Sequence, residues 1–175
     1  MTFERIGSET AWEGRFAAVR VERFRYDDGQ EAEREIVTHP GAVAVVVHDG
    51  ERLFLVRQPR EAVDEQALLE LPAGKLDEEG EEPLDTARRE LAEEIGKGAR
   101  SWEHLTSFYT SPGFADEQCH VFLATELYEE RAEVDEGERI EIVEVPLTDL
   151  DDVIAGCRDS KTLVGLLWFR AYLRG

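Results

Sequence analysis

"GKLDEEGEEPLDTARRELAEEIGKG", residues 74–98, crowds acidic side chains around the pair Arg88 and Arg89. Within it Leu84, Ala87, Leu91 and Ile95 recur at steps of three and four, the spacing of one face of an α-helix. Pro83 suits a first helical position and Gly96 a stop, so the spacing predicts a helix over 83–96. On that helix Glu90 and Glu94 lie one turn apart on a shared face, with Glu93 beside them, and their stripe borders the apolar one. The three acids therefore face a seam or a cleft mouth. Like charges so placed cost a few tenths of a kcal/mol per pair on an exposed helix, and more where water is excluded. Two readings fit: a solvated acidic face in an acid-rich chain, or a site for a cation. Hard carboxylate oxygens suit Mg²⁺ or Mn²⁺, and magnesium commonly binds a few carboxylates together with substrate phosphates.

Outward from this helix the pattern changes to strands. Upstream, "GRFAAVRVERFRY" (14–26) and "EREIV" (33–37) read as strands on either side of a "DDGQ" turn. "AVAVVVH" and "RLFLVRQ" flank an Asp-Gly hairpin signal, and "ALLELPAG" (67–74) reads as one short strand. Downstream, "EHLTSFYT", "CHVFLATEL" and "RIEIVEVPL" continue as strands, and helices are expected near 147–155 and 160–173. Strands on both sides of one helix, with helices at the end, predict a mixed α/β sandwich within a single domain, 1–175. Strict alternation for a doubly wound sheet is lacking.

Composition narrows the function. The formal charge of −20 repels phosphate backbones, which argues against direct nucleic-acid binding. No apolar run approaches the roughly 18 residues of a membrane span. "MTFERIGSETAWEGR" has no basic segment followed by an apolar one, so a cytoplasmic protein without a signal peptide is expected. Cys119 and Cys157 stand apart and are expected reduced. The four histidines are scattered and read as surface or packing residues. Lysine occurs only at 75, 97 and 161. High acid with little lysine resembles proteins of salt-loving organisms, whose concentrated salt screens the self-repulsion. An acidic protein without that adaptation is the other reading.

Gly74, Glu81 and "RELAEEIG" (89–96) resemble the Nudix hydrolase signature: a glycine, a spaced glutamate, then Arg-Glu-apolar-x-Glu-Glu-x-Gly. Seven residues separate Glu81 from Arg89, as the signature requires. Six rather than five separate Gly74 from Glu81, an insertion that a loop before the helix can absorb without rotating the carboxylates. Lys97 replaces the usual apolar residue after the last glycine. The resemblance implies a Nudix-type α/β/α sandwich with a mixed sheet and N-terminal antiparallel strands. It implies Glu90 and Glu94 as main metal ligands, Glu93 sharing a metal or its water, and the Ala73 carbonyl as a further ligand. Arg89 would orient the glutamates, and Gly74 would permit a tight turn.

The flanks "LVRQPR", "LELPAGKLDEEGE", "FYTSPGFADE" and "KTLVGLLWF" resemble ADP-ribose pyrophosphatases, and Pro112, sixteen residues beyond Gly96, matches that subfamily's distinguishing proline. The resemblance spans about 13–170 and implies Mg²⁺-dependent (or Mn²⁺-dependent) hydrolysis of ADP-ribose to AMP and ribose 5-phosphate. In this subfamily the general base comes from an acidic loop, matched here by "EVDEGERIEIVEV", with Glu136 as base and Glu138 assisting; an ordinary solvated loop is the alternative. It also implies a homodimer to which strands within 1–38 contribute, adenine held by Phe16 (or Trp12), and nucleotide contacts from Arg60 and Glu70. The other readings are a surface ion pair of Arg60 with Glu61 or Asp64, and Phe16 as a core residue. Another nucleoside diphosphate sugar or a dinucleotide is the alternative substrate. A non-cleaving nucleotide sensor fits less well, since such proteins usually lose the glutamates kept here.

Overall fold

A computed structural model of the chain describes residues 1–130, 132 and 139–174. They form two compact units: Met1–Gly41 with Tyr109–Gln118, and Ala42–Phe108 with Cys119–Gly175.

The first unit carries an antiparallel sheet of β1 (Phe3–Glu13), β2 (Ala18–Tyr26) and β3 (Glu31–Thr38), in that order. Residues 1–13 carry no strand signal in the sequence because nearly every position of β1 is exposed, so no apolar alternation marks it. Its pairing with β2, from Phe3 opposite Tyr26 to Glu13 opposite Ala18, holds it instead. The predicted turn between β2 and β3 is present, with Gly29 at φ 83°, a backbone that favours glycine. Segment Tyr109–Gln118 docks on β3: the Val37 N–H donates to the Phe114 carbonyl at 2.8 Å, and the Asp116 N–H donates to the Val37 carbonyl at 3.2 Å.

The second unit is a mixed sheet covered on both faces. Its strands are β4 (Ala42–His48), β5 (Arg52–Arg60), β6 (Glu65–Glu70), β7 (Ala73–Lys75), β8 (Lys97–Tyr109), β9 (Gln118–Glu129) and β10 (Glu141–Pro146). The main path runs β10-β5-β4-β9-β8, with β6 on β5 and β7 on β4. β4 and β9 are parallel; β4–β5, β4–β7, β5–β6 and β5–β10 are antiparallel. Among the described residues its α-helices are α1 (Pro83–Ile95), between β7 and β8, and α2 (Leu150–Gly156) and α3 (Ser160–Tyr172) after β10, a 3₁₀ turn at Leu147–Asp149 leading into α2.

The unbroken apolar run of β4 now has its reason. Val43, Val45 and Val47 pack on Ala87, Leu91 and Ile95 of α1, while Ala44 and Val46 share the opposite cluster with Leu150 of α2 and Leu166 and Phe169 of α3. A strand buried on both faces shows no polar alternation. The α/β/α layering expected from the sequence is therefore the architecture of this unit. "ALLELPAG", read as one strand, is two. Pro72 has no N–H for a ladder, and the chain leaves β5 there and joins β4.

Candidate active site

Helix α1 builds the site from its polar edge. It starts at Pro83 and ends where Gly96 turns left-handed, φ 67°, its N–H donating to the Ala92 carbonyl. The loop before it absorbs the extra residue: the Glu81 N–H closes on the Glu78 carbonyl, and Gly80 sits at φ 80°. Burial of Ala87, Leu91 and Ile95 fixes the rotation of the helix, and that rotation carries Glu90 and Glu94 into the protein, only 8% and 7% exposed.

Buried carboxylates need compensation, and here Arg89 and the backbone of β7 provide part of it. Arg89 Nη1 donates to Glu90 Oε1 at 2.9 Å and to Glu93 Oε2 at 3.0 Å; its Nε and Nη2 reach Glu81 at 3.4 and 3.3 Å. The Ala73 N–H donates to Glu94 Oε2 at 3.0 Å. Partial burial would weaken the charge on Arg89, but the bond to Glu81 and the charges of Glu90, Glu81 and Glu93 outweigh it and raise its pKa. One guanidinium thus meets three carboxylates, and the quartet is net negative.

Gly74 is required for a reason other than the expected turn. It lies in β7 and is not among the positive-φ glycines. A Cβ built on it would lie 1.9 Å from Glu90 Oε1, so the missing side chain is what lets Glu90 press against the strand.

Does this set suit a divalent cation? The donors are all hard oxygens, they are shielded, and they carry more negative charge than Arg89 neutralises, which fits Mg²⁺ or Mn²⁺. Among the described residues no three or more His, Cys, Asp or Glu side chains are gathered as a ready cage. Glu90 and Glu93 are instead turned toward Arg89, and Glu94 toward the Ala73 N–H.

Glu81 depends on Thr86, whose buried hydroxyl donates to Glu81 Oε2 at 2.9 Å and which the sequence reading passed over. The available signal was a polar residue at a core-facing helical position. Burial pushes the Glu81 carboxyl up, but hydrogen bonds from Arg89 and Thr86 and the charge of Arg89 hold it below its usual 4.5. A depressed folded-state pKa adds stability that is present above pH 4.5 and lost as pH falls through the folded value. Glu81→Gln should therefore lower Tm at pH 7 by a few degrees, about 1 kcal/mol, and the gap to the parent should narrow as pH falls below 4.5 in thermal melts.

Arg60 and Glu70 hold each other. Arg60 Nε and Nη2 donate to Glu70 Oε1 and Oε2 at 2.6 and 2.7 Å, and Glu70 is 1% exposed. Glu70, not Glu61 or Asp64, is thus the ion-pair partner of Arg60. The bond to Glu70 raises the Arg60 pKa against the opposing effect of burial, with further contributions from Glu70, Glu94 and Asp159. Phe16 and Pro112 belong to the first unit. Phe16 is not core: it is 60% exposed, with its ring edge-on to His39 at 6.4 Å. Trp12 is likewise exposed and lies over Gly14. Glu136 and Glu138 lie outside the described residues.

Comparison with known proteins gives the same signature a family. The family model described as "NUDIX domain" matches residues 38–163. The chain is 49% identical over 147 residues to an ADP-ribose pyrophosphatase of Bacillus subtilis (strain 168), a match covering 82% of this chain and 78% of that one. It is 41% identical over 170 residues to a methanol dehydrogenase activator of Bacillus methanolicus, covering 94% and 91%. A solved structure titled as an ADP compounds hydrolase superposes with a TM-score of 0.88 at 26% identity, covering 100% of this chain and 96% of that one. With the helix, the glycine and the glutamates already in place, these matches mean that the chain belongs to the Nudix family and is a Nudix hydrolase.

Proposed function

We propose that this hydrolase is an ADP-ribose pyrophosphatase that uses Mg²⁺ or Mn²⁺ and releases AMP and ribose 5-phosphate. The observation that carries the reading is the burial of Glu90 and Glu94 on α1 against a strand glycine whose Cβ would displace Glu90. Its substrate follows the flanking resemblance and the similarity to the Bacillus subtilis pyrophosphatase.

Glu90 and Glu94 would hold the cation, with Glu93 and the Ala73 carbonyl as further oxygen ligands. The chemistry a dication held there would supply is charge neutralisation of the diphosphate and a lowered pKa for the attacking water. Arg89 donates to both Glu90 and Glu93, which offsets their mutual repulsion, and would orient them for the cation. Glu136 takes the proton of the attacking water and Glu138 assists. Glu70 grips Arg60 through Nε and Nη2, so a nucleotide would meet Nη1. Phe16 offers an exposed ring for adenine stacking. The working form is a homodimer of single-domain subunits, 1–175, with strands from 1–38 at its interface, acting in the cytoplasm. No helix among the described residues is long and apolar enough to cross a membrane.

Purified protein should release AMP from ADP-ribose when Mg²⁺ is added and release none in excess chelator. A sugar nucleotide such as GDP-mannose cleaved far faster than ADP-ribose would overturn the substrate assignment.

The charge of −20 leads to a further expectation. If the acidic surface is a salt adaptation, Tm should climb steeply as KCl rises toward molar concentration, because screening removes self-repulsion. A Tm flat in KCl would rule the adaptation out.

A further inference from the structure

Between β6 and β7 the chain passes through two residues, Leu71 and Pro72, that belong to neither strand, and it joins β4 at Ala73 and Gly74. Each backbone group identified there has a dedicated partner. The Leu71 N–H donates to Thr162 Oγ1 at 2.8 Å, the Pro72 carbonyl accepts from the Val45 N–H at 2.8 Å, and the Ala73 N–H donates to Glu94. Thr162 lies in the first turn of α3, is 1% exposed, and comes from ninety-one residues away in sequence. Its hydroxyl donates to Asp159 Oδ2 at 2.7 Å, which leaves its lone pairs to receive the Leu71 N–H. Asp159 caps α3 and also accepts from the Thr162 N–H at 2.8 Å, so the orientation of the hydroxyl is set by the helix cap.

A second contact from the same helix face reaches the same residue. Gly165, one turn beyond Thr162, is so close to Leu71 that an added Cβ would lie 2.5 Å from Leu71 Cδ1. Helix α3 therefore grips Leu71 twice, by a hydrogen bond to its backbone and by close packing on its side chain. Two residues further along sits the N–H that orients Glu94.

We infer that Thr162, aimed by Asp159, is a positioning residue for the metal-binding carboxylates: it sets the path of Leu71–Gly74 and, through the Ala73 N–H and the glycine surface of Gly74, the placement of Glu94 and Glu90. The inference rests on the proposed metal role of those glutamates. A misplacement of about 1 Å at a catalytic group can cost on the order of a hundredfold in rate, and supporting shells of metal ligands typically cost about 10- to 100-fold in affinity when removed.

Thr162→Val keeps the shape and removes the acceptor; Thr162→Ser restores it. Three readouts separate positioning from plain stability: Mn²⁺ affinity of chelator-treated protein by calorimetry, amide exchange at Leu71 and Ala73, and kcat against KM for ADP-ribose. Thr162→Val should bind Mn²⁺ about tenfold more weakly, exchange both amides faster, and lose at least tenfold in kcat with KM within about twofold. Thr162→Ser should return each value to within about threefold of the parent. Asp159→Ala, nearer the surface, should shift all three readouts the same way by smaller factors, and serves if Thr162→Val does not fold. Parent-like Mn²⁺ affinity and kcat in folded Thr162→Val, or in Asp159→Ala if that is the variant measured, would overturn the positioning role alone. A parent protein that takes up no Mn²⁺ would overturn the metal reading and this inference with it.

Discussion

Glu94→Gln should cut turnover of ADP-ribose by about two to three orders of magnitude while the protein stays folded. The change preserves the shape of the side chain and an oxygen to accept the Ala73 N–H, so the contact at 3.0 Å can persist. What disappears is one negative charge at a site only 7% exposed, where, on the proposed reading, a carboxylate would serve a cation and water could not replace it. Without metal the variant should melt at the same temperature as the parent or slightly above it, because repulsion within the acidic set is reduced. Steady-state kinetics with Mg²⁺, paired with a thermal melt in chelator, measures both halves. Parent-like turnover would overturn the assignment of Glu94 as a ligand.

The second large effect comes from the smallest substitution. Gly74→Ala puts a methyl group 1.9 Å from Glu90 Oε1, 2.0 Å from its Cδ and 2.4 Å from its Cγ. The clash falls on the arm of a side chain and not on backbone, so the fold can yield by swinging Glu90 away. Stability should therefore change little, with Tm lowered by a few degrees at most, whereas kcat should fall on the order of a hundredfold. A loss of stability with kcat intact would show that Gly74 serves the strand and not the carboxylate.

The helix and the central strand were legible in the sequence because burial marked both, the helix by a period and the strand by an unbroken apolar run. Leu84, Ala87, Leu91 and Ile95 mark one face of α1, and the run at 42–47 marks a strand covered on both sides. Strand β1 was not legible, since it is held by backbone pairing and buries almost nothing. The break at Pro72 was visible as a residue but not as a change of partner, which depends on β4 and β5 lying side by side. In the site, the spacing of Glu90, Glu93 and Glu94 was enough to bring them to one edge of α1, a purely local matter of helical geometry. Long-range partners were hidden. Nothing near Arg60 in sequence reveals that Glu70 takes it in a bidentate grip, and nothing near Leu71 points to Thr162. Gly74 was singled out correctly but for a turn, whereas its structural use is the close approach of Glu90.

Calorimetric titration of chelator-treated protein with Mg²⁺ or Mn²⁺, alone and with a non-hydrolysable ADP-ribose analogue, tests the metal site most directly. Saturable uptake is expected, tightened by the analogue and abolished when Glu90 and Glu94 are both glutamine. Absence of uptake in the unsubstituted protein, with and without the analogue, would contradict a cation held by these carboxylates.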